Sequence, residues 1–553
     1  MDLPEPQSRR FSTLMGEIEG GHIKIPQFQR DFVWDLKKAA FLLDSVIKGY
    51  PIGTFILWKT KERLRMVKDI GGLKLPEPNK GDFIELVLDG QQRLTSLFAA
   101  MKGVKVRKEN GRDDDFGQIY VDLQAKEDEP IVITDVTGKK VGSYIKLKDL
   151  LYGGIPQLAG FAEEYYEKLD EYKNRILSYN YSLVSVREAP LSVATDIFTR
   201  INTSGKDLTL FQIMVAKTYD EKQHFDLEEK FDELIEDLEG IDYETISDAT
   251  VLQTVSVMQG KECTREKILS LKKQTFIDLW GEAKDAIEGA CDYFSGYYRI
   301  PVSRLLPYNT LIVPFAYFFY KHHEKPTGDK QRFLQDFFWR CSLSGRYSSG
   351  VESKLAQDIK RIDLILKDEL PKYDWAINTS PDFIIQNGWF STGRSYIKAL
   401  LCLYAYHEPK SFIDNSKVKI GNDWLKQANS KNYHHFFPKD YLNKMGEDEF
   451  NINHILNITI VDDFLNKREI KAKPPATYMK EFQKKNPKLD ATMKTHLIND
   501  LTNFGVWGND YDKFFDERAK IVSKELQERV IKQDVDKQTQ PALEDDTDPI
   551  EKE

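Results

Sequence analysis

The sequence pattern changes twice along the chain: strand and helix signals mix up to about residue 224, amphipathic helices dominate from about 225 to 410, and a cluster of His and Asn residues opens the segment from about 411. At 553 residues the chain also exceeds what one hydrophobic core usually organises, so two or three domains are expected. Apolar residues make up 41% and charged residues 30%, a balance that buries cores and excludes global disorder. No run approaches the roughly 20 apolar residues that a spanning helix needs. The start, Met1-Asp2-Leu3-Pro4-Glu5-Pro6, has neither a basic leader nor an apolar core. The expectation is a cytoplasmic protein with no membrane partner. Cys263, Cys291, Cys341 and Cys402 lie far apart without a CxxC pair, which excludes a disulfide framework and a cysteine-based zinc site. A net charge of −9 removes any whole-molecule electrostatic argument for nucleic acid, so a DNA contact has to be local.

Residues 1–224 read as a mixed α/β domain. Asp35 can cap a helix carrying Leu36, Ala39, Ala40, Leu43, Val46 and Ile47 at helical spacing. Thr54–Trp58, Phe83–Leu88, Gln118–Leu123, Ile131–Thr134 and Tyr181–Val186 read as strands, and Leu191–Ile201 and Leu208–Tyr219 as helices. Residues 225–410 read as a helical middle domain, with amphipathic helices over Phe225–Leu238, Lys267–Tyr293 and Lys330–Leu343. The aromatic runs at 293–298 and 315–320 on these helices are expected to be core. Residues 411–532 change character again and close with a helix over Tyr511–Lys532. Residues 533–553, polar, acidic and free of aromatics, are expected to be a disordered tail.

The densest chemistry is Lys431-Asn432-Tyr433-His434-His435-Phe436-Phe437-Pro438, followed by Asn453-His454-Ile455-Leu456-Asn457 and Asn466-Lys467-Arg468. Singly, these histidines and asparagines read as surface residues or turn formers. Together they hold what phosphodiester hydrolysis needs: a base to activate water and ligands for a divalent cation that neutralises developing charge. Lys467, Arg468, Lys471 and Lys473 open a basic stretch suited to phosphates, with only Glu469 and Glu481 among its lysines, although an ordinary solvated face has the same composition. In the first domain, Gln27-Phe28-Gln29-Arg30 and Asp89-Gly90-Gln91-Gln92-Arg93 each set amides and a guanidinium beside a turn, chemistry suited to phosphate oxygens. Asp89 reads equally as a simple cap. The absence of GxxxxGK[ST] excludes a P-loop.

The histidine segment resembles the His-Asn-His (HNH), or ββα-metal, nuclease motif. The resemblance implies His435 as general base and Asn457 as the residue orienting it, with Asn453 or His454 as competitors for that role. It implies His434 and Asn466 as ligands of one cation, Mg²⁺ in the first instance. An imidazole ligand would favour Mn²⁺, Ni²⁺ or Zn²⁺ more than a carboxylate does. Ile25–Trp34, Gly49-Tyr50-Pro51-Ile52-Gly53, Asp89–Arg93 and Ile197–Leu208 resemble the N-terminal signature of GmrSD-type and SspE-type defence proteins. That resemblance implies a ParB/sulfiredoxin-like domain that binds and hydrolyses a nucleoside triphosphate, GTP or ATP. The implied phosphate site comprises Asp89, Gly90, Gln91, Gln92 and Arg93, with Gln29, Arg30, Arg200 and Asn202 beside it.

The combined expectation is a multidomain α+β enzyme of type IV, modification-dependent restriction. A nucleotide-dependent sensor, a helical middle domain and an HNH nuclease would act on double-stranded DNA carrying altered bases or phosphorothioates. A homodimer or partner defence proteins are compatible with this reading. The rivals are an RNA or tRNA nuclease of abortive infection and a DNA-binding adaptor with an inactive nuclease segment.

Overall fold

Ile84–Asp89 (β5) realises the apolar run expected near residue 83, and in the computed structural model it is a central strand, buried along all but its last residue. The structure describes residues 5–26, 29, 32–61, 67–70, 73–79, 81–107, 113–126, 129–201, 209–220, 222–422, 433–461, 470, 472–538 and 543. The chain divides into two compact units, Met1–Leu227 and Glu228–Glu553. Both mix helices with β-structure, so the molecule is multidomain α+β.

The first unit is built on a six-stranded mixed sheet. Its further strands are Glu5–Arg10 (β1), Ile23–Pro26 (β2), Phe55–Thr60 (β3), Val67–Asp69 (β4) and Asn180–Arg187 (β11), in the order β1-β11-β3-β5-β2-β4. β3 runs antiparallel to β5, whereas β2 is parallel to β5 and β11 parallel to β3. A second sheet joins Tyr120–Asp122 (β8), Val132–Ile133 (β9) and Tyr144–Lys146 (β10), and Lys105–Arg107 (β6) pairs with Asp113–Asp115 (β7). Helix Leu36–Ile47 is capped by Asp35, whose carboxylate accepts the Lys38 N–H at 2.9 Å, as its sequence suggests. The helix packs against Gln91–Lys102, which leaves directly from the end of β5. Helix Leu191–Ile201 also packs on β5, so two helices that carry motif residues, Gln91–Lys102 and Leu191–Ile201, meet this strand.

In the second unit, helix Ile312–Lys321 packs against Asp248–Gly260, Lys273–Gly296 and Val351–Leu366. Tyr293, Phe294, Tyr298, Phe315, Tyr317 and Phe318 are buried there, as expected of core, whereas Tyr297, Phe319 and Tyr320 of the same runs are only half-buried. The single helix expected over 267–293 is broken: Arg265–Ser270 ends where Leu271 turns extended to bury its side chain, and the next helix begins at Lys273. Tyr433–His435 (β12) pairs antiparallel with Ile458–Ile460 (β13), and helices Pro475–Lys485 and Tyr511–Gln527 follow. All four cysteines are free and buried. Among the described residues no helix is long and apolar enough to cross a membrane.

Helix Tyr511–Gln527 stops five residues before the expected end at Lys532, because the chain turns back onto a buried arginine. Arg340, fully buried, donates from Nε to Asp336 at 3.1 Å and from Nη1 and Nη2 to the two Asp536 oxygens at 2.8 and 2.7 Å. The Ile531 N–H reaches Asp336 at 2.7 Å. Residues 534–537 form a short 3-10 turn, so the tail expected to be disordered from 533 is structured over its first residues. Burial raises the Asp336 carboxyl to about 6. Removing the central cation strands two carboxylates. Arg340→Ala is expected to lower the stability of the second unit by about 3–5 kcal/mol, read from its transition in urea unfolding; a loss under about 1 kcal/mol would contradict the buried network.

Candidate functional site

In the first unit the Asp-Gly-Gln-Gln-Arg turn ties three motifs together. Gly90 begins helix Gln91–Lys102 at φ +90°, where a Cβ would lie 2.5 Å from the Phe55 ring. No side chain caps this helix, so its first N–H groups face outward from a strand-to-helix turn. Arg93 donates to the carbonyls of Ile52 at 2.7 Å and Thr54 at 3.0 Å and to Asp89 at 3.1 Å, which fastens the Gly49–Gly53 turn to the helix start. Gly53, at φ +86°, leaves room for that guanidinium, since a Cβ there would sit 2.3 Å from Nη1. Gln92, buried, accepts the N–H groups of Val33 at 2.9 Å and Trp34 at 3.3 Å, and its own amide donates to Gln91 at 3.0 Å. Gln29 donates to the carbonyls of Val87 and Leu88 at the end of β5. Arg200 is exposed and paired with Asp196 at 3.0 Å. Arg30 and Asn202 lie outside the described residues.

In the second unit the histidine pair ends the short hairpin. His434 stands opposite Thr459, and His435 opposite Ile458. Asn453 donates its amide to the Phe390 carbonyl at 3.1 Å, which turns its Oδ1 toward His435 Nε2, 3.1 Å away. An oxygen acceptor there puts the ring proton on Nε2 and leaves Nδ1 as the basic nitrogen, an assignment made from the hydrogen-bond network. Burial, reinforced by the nearby Lys439 charge, lowers His435 to about 4, against the Asn453 bond that raises it, so the ring is neutral at pH 7. His434 is more buried, and its pKa falls to about 3, again chiefly through burial. Its Nδ1 lies 3.3 Å from Thr459 Oγ1, which also donates to the His434 carbonyl. With that hydroxyl proton committed, Nδ1 donates and Nε2 is the free lone pair. A neutral imidazole is the form a cation requires.

Of the three candidates for orienting His435, Asn453 is the one that hydrogen-bonds it. Asn457, fully buried, accepts the Phe437 N–H at 2.8 Å and donates to the carbonyls of Phe437 and Ile452, holding the backbone that follows β12 without a hydrogen bond to His435. His454 accepts from the Leu456 N–H and bonds the Ile385 carbonyl at 3.0 Å, which makes it a splint between segments. Asn466, Lys467, Arg468 and Lys471 lie outside the described residues, and Lys473 is paired with Glu481 at 2.8 Å. Among the described residues no three His, Cys, Asp or Glu side chains come together as a metal cluster. One contributor that sequence reasoning passed over is the Phe390 carbonyl. It belongs to a segment whose bridge between Trp389 and His454 no local pattern announces.

Residues 11–219 match the family model described as the GmrSD restriction endonuclease, N-terminal domain. The span takes in all four N-terminal motifs, so the first unit is similar to that domain and points to a restriction-type function in defence. A curated relative, the uncharacterized protein MJ0686 of Methanocaldococcus jannaschii, is 24% identical over an alignment of 606 positions that covers 95% of this chain and 99% of the relative. The histidine hairpin lies beyond the matched domain and stands on its own geometry.

Two buried histidines away from the hairpin make the second unit acid-sensitive. His454 and His496 are held neutral, their pKa lowered by burial from 6.5 to about 4. The unfolded chain protonates them near the ordinary value, so their contribution is complete above about pH 6.5 and is lost as pH falls toward 4. Each is expected to cost about 1.4 kcal/mol per pH unit within that window, measured by denaturant unfolding at pH 7, 6 and 5. Stability unchanged from pH 7 to 5 would contradict their burial.

Proposed function

We propose that the chain is a metal-dependent DNA endonuclease of the restriction type, cutting at the His434–His435 hairpin under control of a nucleotide-binding first unit. The observation that carries this reading is His435, neutral at pH 7 and held at Nε2 by Asn453 so that Nδ1 is free to accept a proton. In the proposed reaction Nδ1 takes a proton from water as its oxygen bonds to phosphorus, and the ester oxygen leaves and is protonated from solvent. His434 would hold the cation through Nε2 with Asn466 as the second ligand, and the cation would neutralise charge on the phosphate and leaving oxygen. Mg²⁺ fits the family, and the imidazole also suits Mn²⁺, Ni²⁺ or Zn²⁺. Lys467, Arg468, Lys471 and Lys473 would contact the DNA backbone.

In the first unit, the proposed nucleotide site is the uncapped start of helix Gln91–Lys102. Its N–H groups suit a phosphate, the remaining Arg93 donors stand in the same turn, and Gln29, Arg30, Arg200 and Asn202 are the further proposed contacts. GTP or ATP would be bound and hydrolysed there. Asp89, Gln91 and Gln92 shape the turn, which fits a sensor whose state depends on how the surrounding motifs close on it. The proposed substrate is DNA carrying modified bases or phosphorothioates, consistent with the GmrSD-type match over residues 11–219.

The test is plasmid cutting by the full chain with Mg²⁺ or Mn²⁺, with and without GTP or ATP, on unmodified, base-modified and phosphorothioated DNA. Cutting should require modification and fall at least 100-fold in His435→Ala, the range expected for loss of a general base. Cutting that survives His435→Ala would overturn the assignment of the centre, and cleavage of structured RNA with none of any DNA would replace the substrate.

A further inference from the structure

A cavity of about 160 Å³ opens beside the first residue of β12, lined by Arg304, Thr392, Gly393, Lys398, Tyr433 and two leucines. Two of these side chains are cationic and none of the described lining residues is acidic. The Arg304 guanidinium makes no ion pair among the described residues, and its Nε is buried without a hydrogen-bond partner. Lys398 is 5% exposed. A half-buried guanidinium without a carboxylate is costly unless an anion completes it. The cavity also adjoins the start of helix Ser395–Tyr406, which no side chain caps, so backbone N–H groups add to the same field.

Its position gives the cavity a role. Side chains alternate along a strand, so Tyr433 and His435 share one face of β12, about 6.6 Å apart. The segment from Gly388 to Arg394 runs past both. The Phe390 ring stands 5.0 Å from that of Tyr433, its carbonyl holds Asn453 against His435, and Thr392 and Gly393 line the cavity. The separation is of the order of one step along a nucleic-acid backbone. We infer that the Arg304–Lys398 cavity is a subsite for a backbone phosphate next to the scissile one, and that it sets where a strand lies across His435. This rests on the nuclease reading for its substrate. The guanidinium would grip two phosphate oxygens, with the Thr392 hydroxyl at the rim.

The test measures binding of a duplex oligonucleotide to the cutting-deficient His435→Ala chain as a function of KCl concentration. Each phosphate contact contributes about 0.9 to the slope of log K against log salt. Adding Arg304→Gln should weaken binding and reduce the slope by about 1, while Arg304→Lys should keep it. Thr392→Glu, at an exposed position, should weaken binding by placing a carboxylate at the rim, and it guards against misfolding of the arginine variant. Unchanged affinity and slope in both Arg304→Gln and Thr392→Glu would overturn the subsite. A free anion is distinguished by inorganic phosphate at constant ionic strength: Arg304-dependent phosphate binding without any change in the duplex slope would reassign the cavity and overturn the backbone contact. Failure of the nuclease reading has a separate signature, wild-type cutting that survives His435→Ala, which the salt slope does not report.

Discussion

Irregular backbone beside each candidate site has to find hydrogen-bond partners, and side-chain amides supply them. In the first unit, Gln29 takes up the carbonyls at the end of β5, and Gln92 takes up the N–H groups of Val33 and Trp34. In the second, Asn457 closes on both backbone groups of Phe437, and Asn453 joins the Phe390 carbonyl to His435. These amides stand in for ladder hydrogen bonds where strands end, which is also where side chains and backbone N–H groups become free to meet a ligand. The residues singled out in the sequence thus hold, in the structure, the backbone on which their neighbours are placed.

Burial then sets the chemistry. The hairpin sits among Phe412, Phe436, Phe437, Tyr478 and Phe514, and the low polarity of that cluster disfavours charge on every nearby imidazole. A neutral imidazole is the form that can hold a cation or take a proton, so one physical cause would suit both proposed roles, His434 as ligand and His435 as base. The same environment loads the second unit with histidines that resist protonation. Arg518 is handled in a related way: fully buried, it donates to the carbonyls of Leu456 and His496 and lies 4.8 Å from the Tyr404 ring. Its guanidinium thereby braces the turn leading into β13.

Elements with clean apolar periodicity were legible in the sequence: β5 and helix Leu191–Ile201 fall within a residue of where their patterns place them. β1 was not. Glu-Pro-Gln-Ser-Arg-Arg carries no apolar alternation because it is an edge strand held by backbone pairing to β11. β2 hides a lysine in its interior, since Lys24 is neutralised by Asp69 at 2.9 Å and Glu77 at 2.6 Å, partners 45 and 53 residues away. At the histidine hairpin the order of residues singled out the pair His434–His435 but did not choose between Asn453 and Asn457 as the partner of His435. That choice depends on Phe390, a contact 63 residues distant that no spacing rule encodes. Arg340 was invisible for the same reason: besides Asp336 one turn away, its second acid partner, Asp536, lies 196 residues along the chain.

The account turns on His435 being a neutral imidazole protonated at Nε2 and braced by Asn453. Nitrogen-15 NMR of the histidine-labelled chain, with the His435 signals assigned by their loss in His435→Gln, reads both the protonation state and the tautomer directly. A ring that carries its proton on Nε2, stays neutral from pH 8 to 5, and loses that preference in Asn453→Ala is the predicted result. A His435 that titrates near the ordinary value of 6.5, or carries its proton on Nδ1 in the wild-type chain, would contradict it.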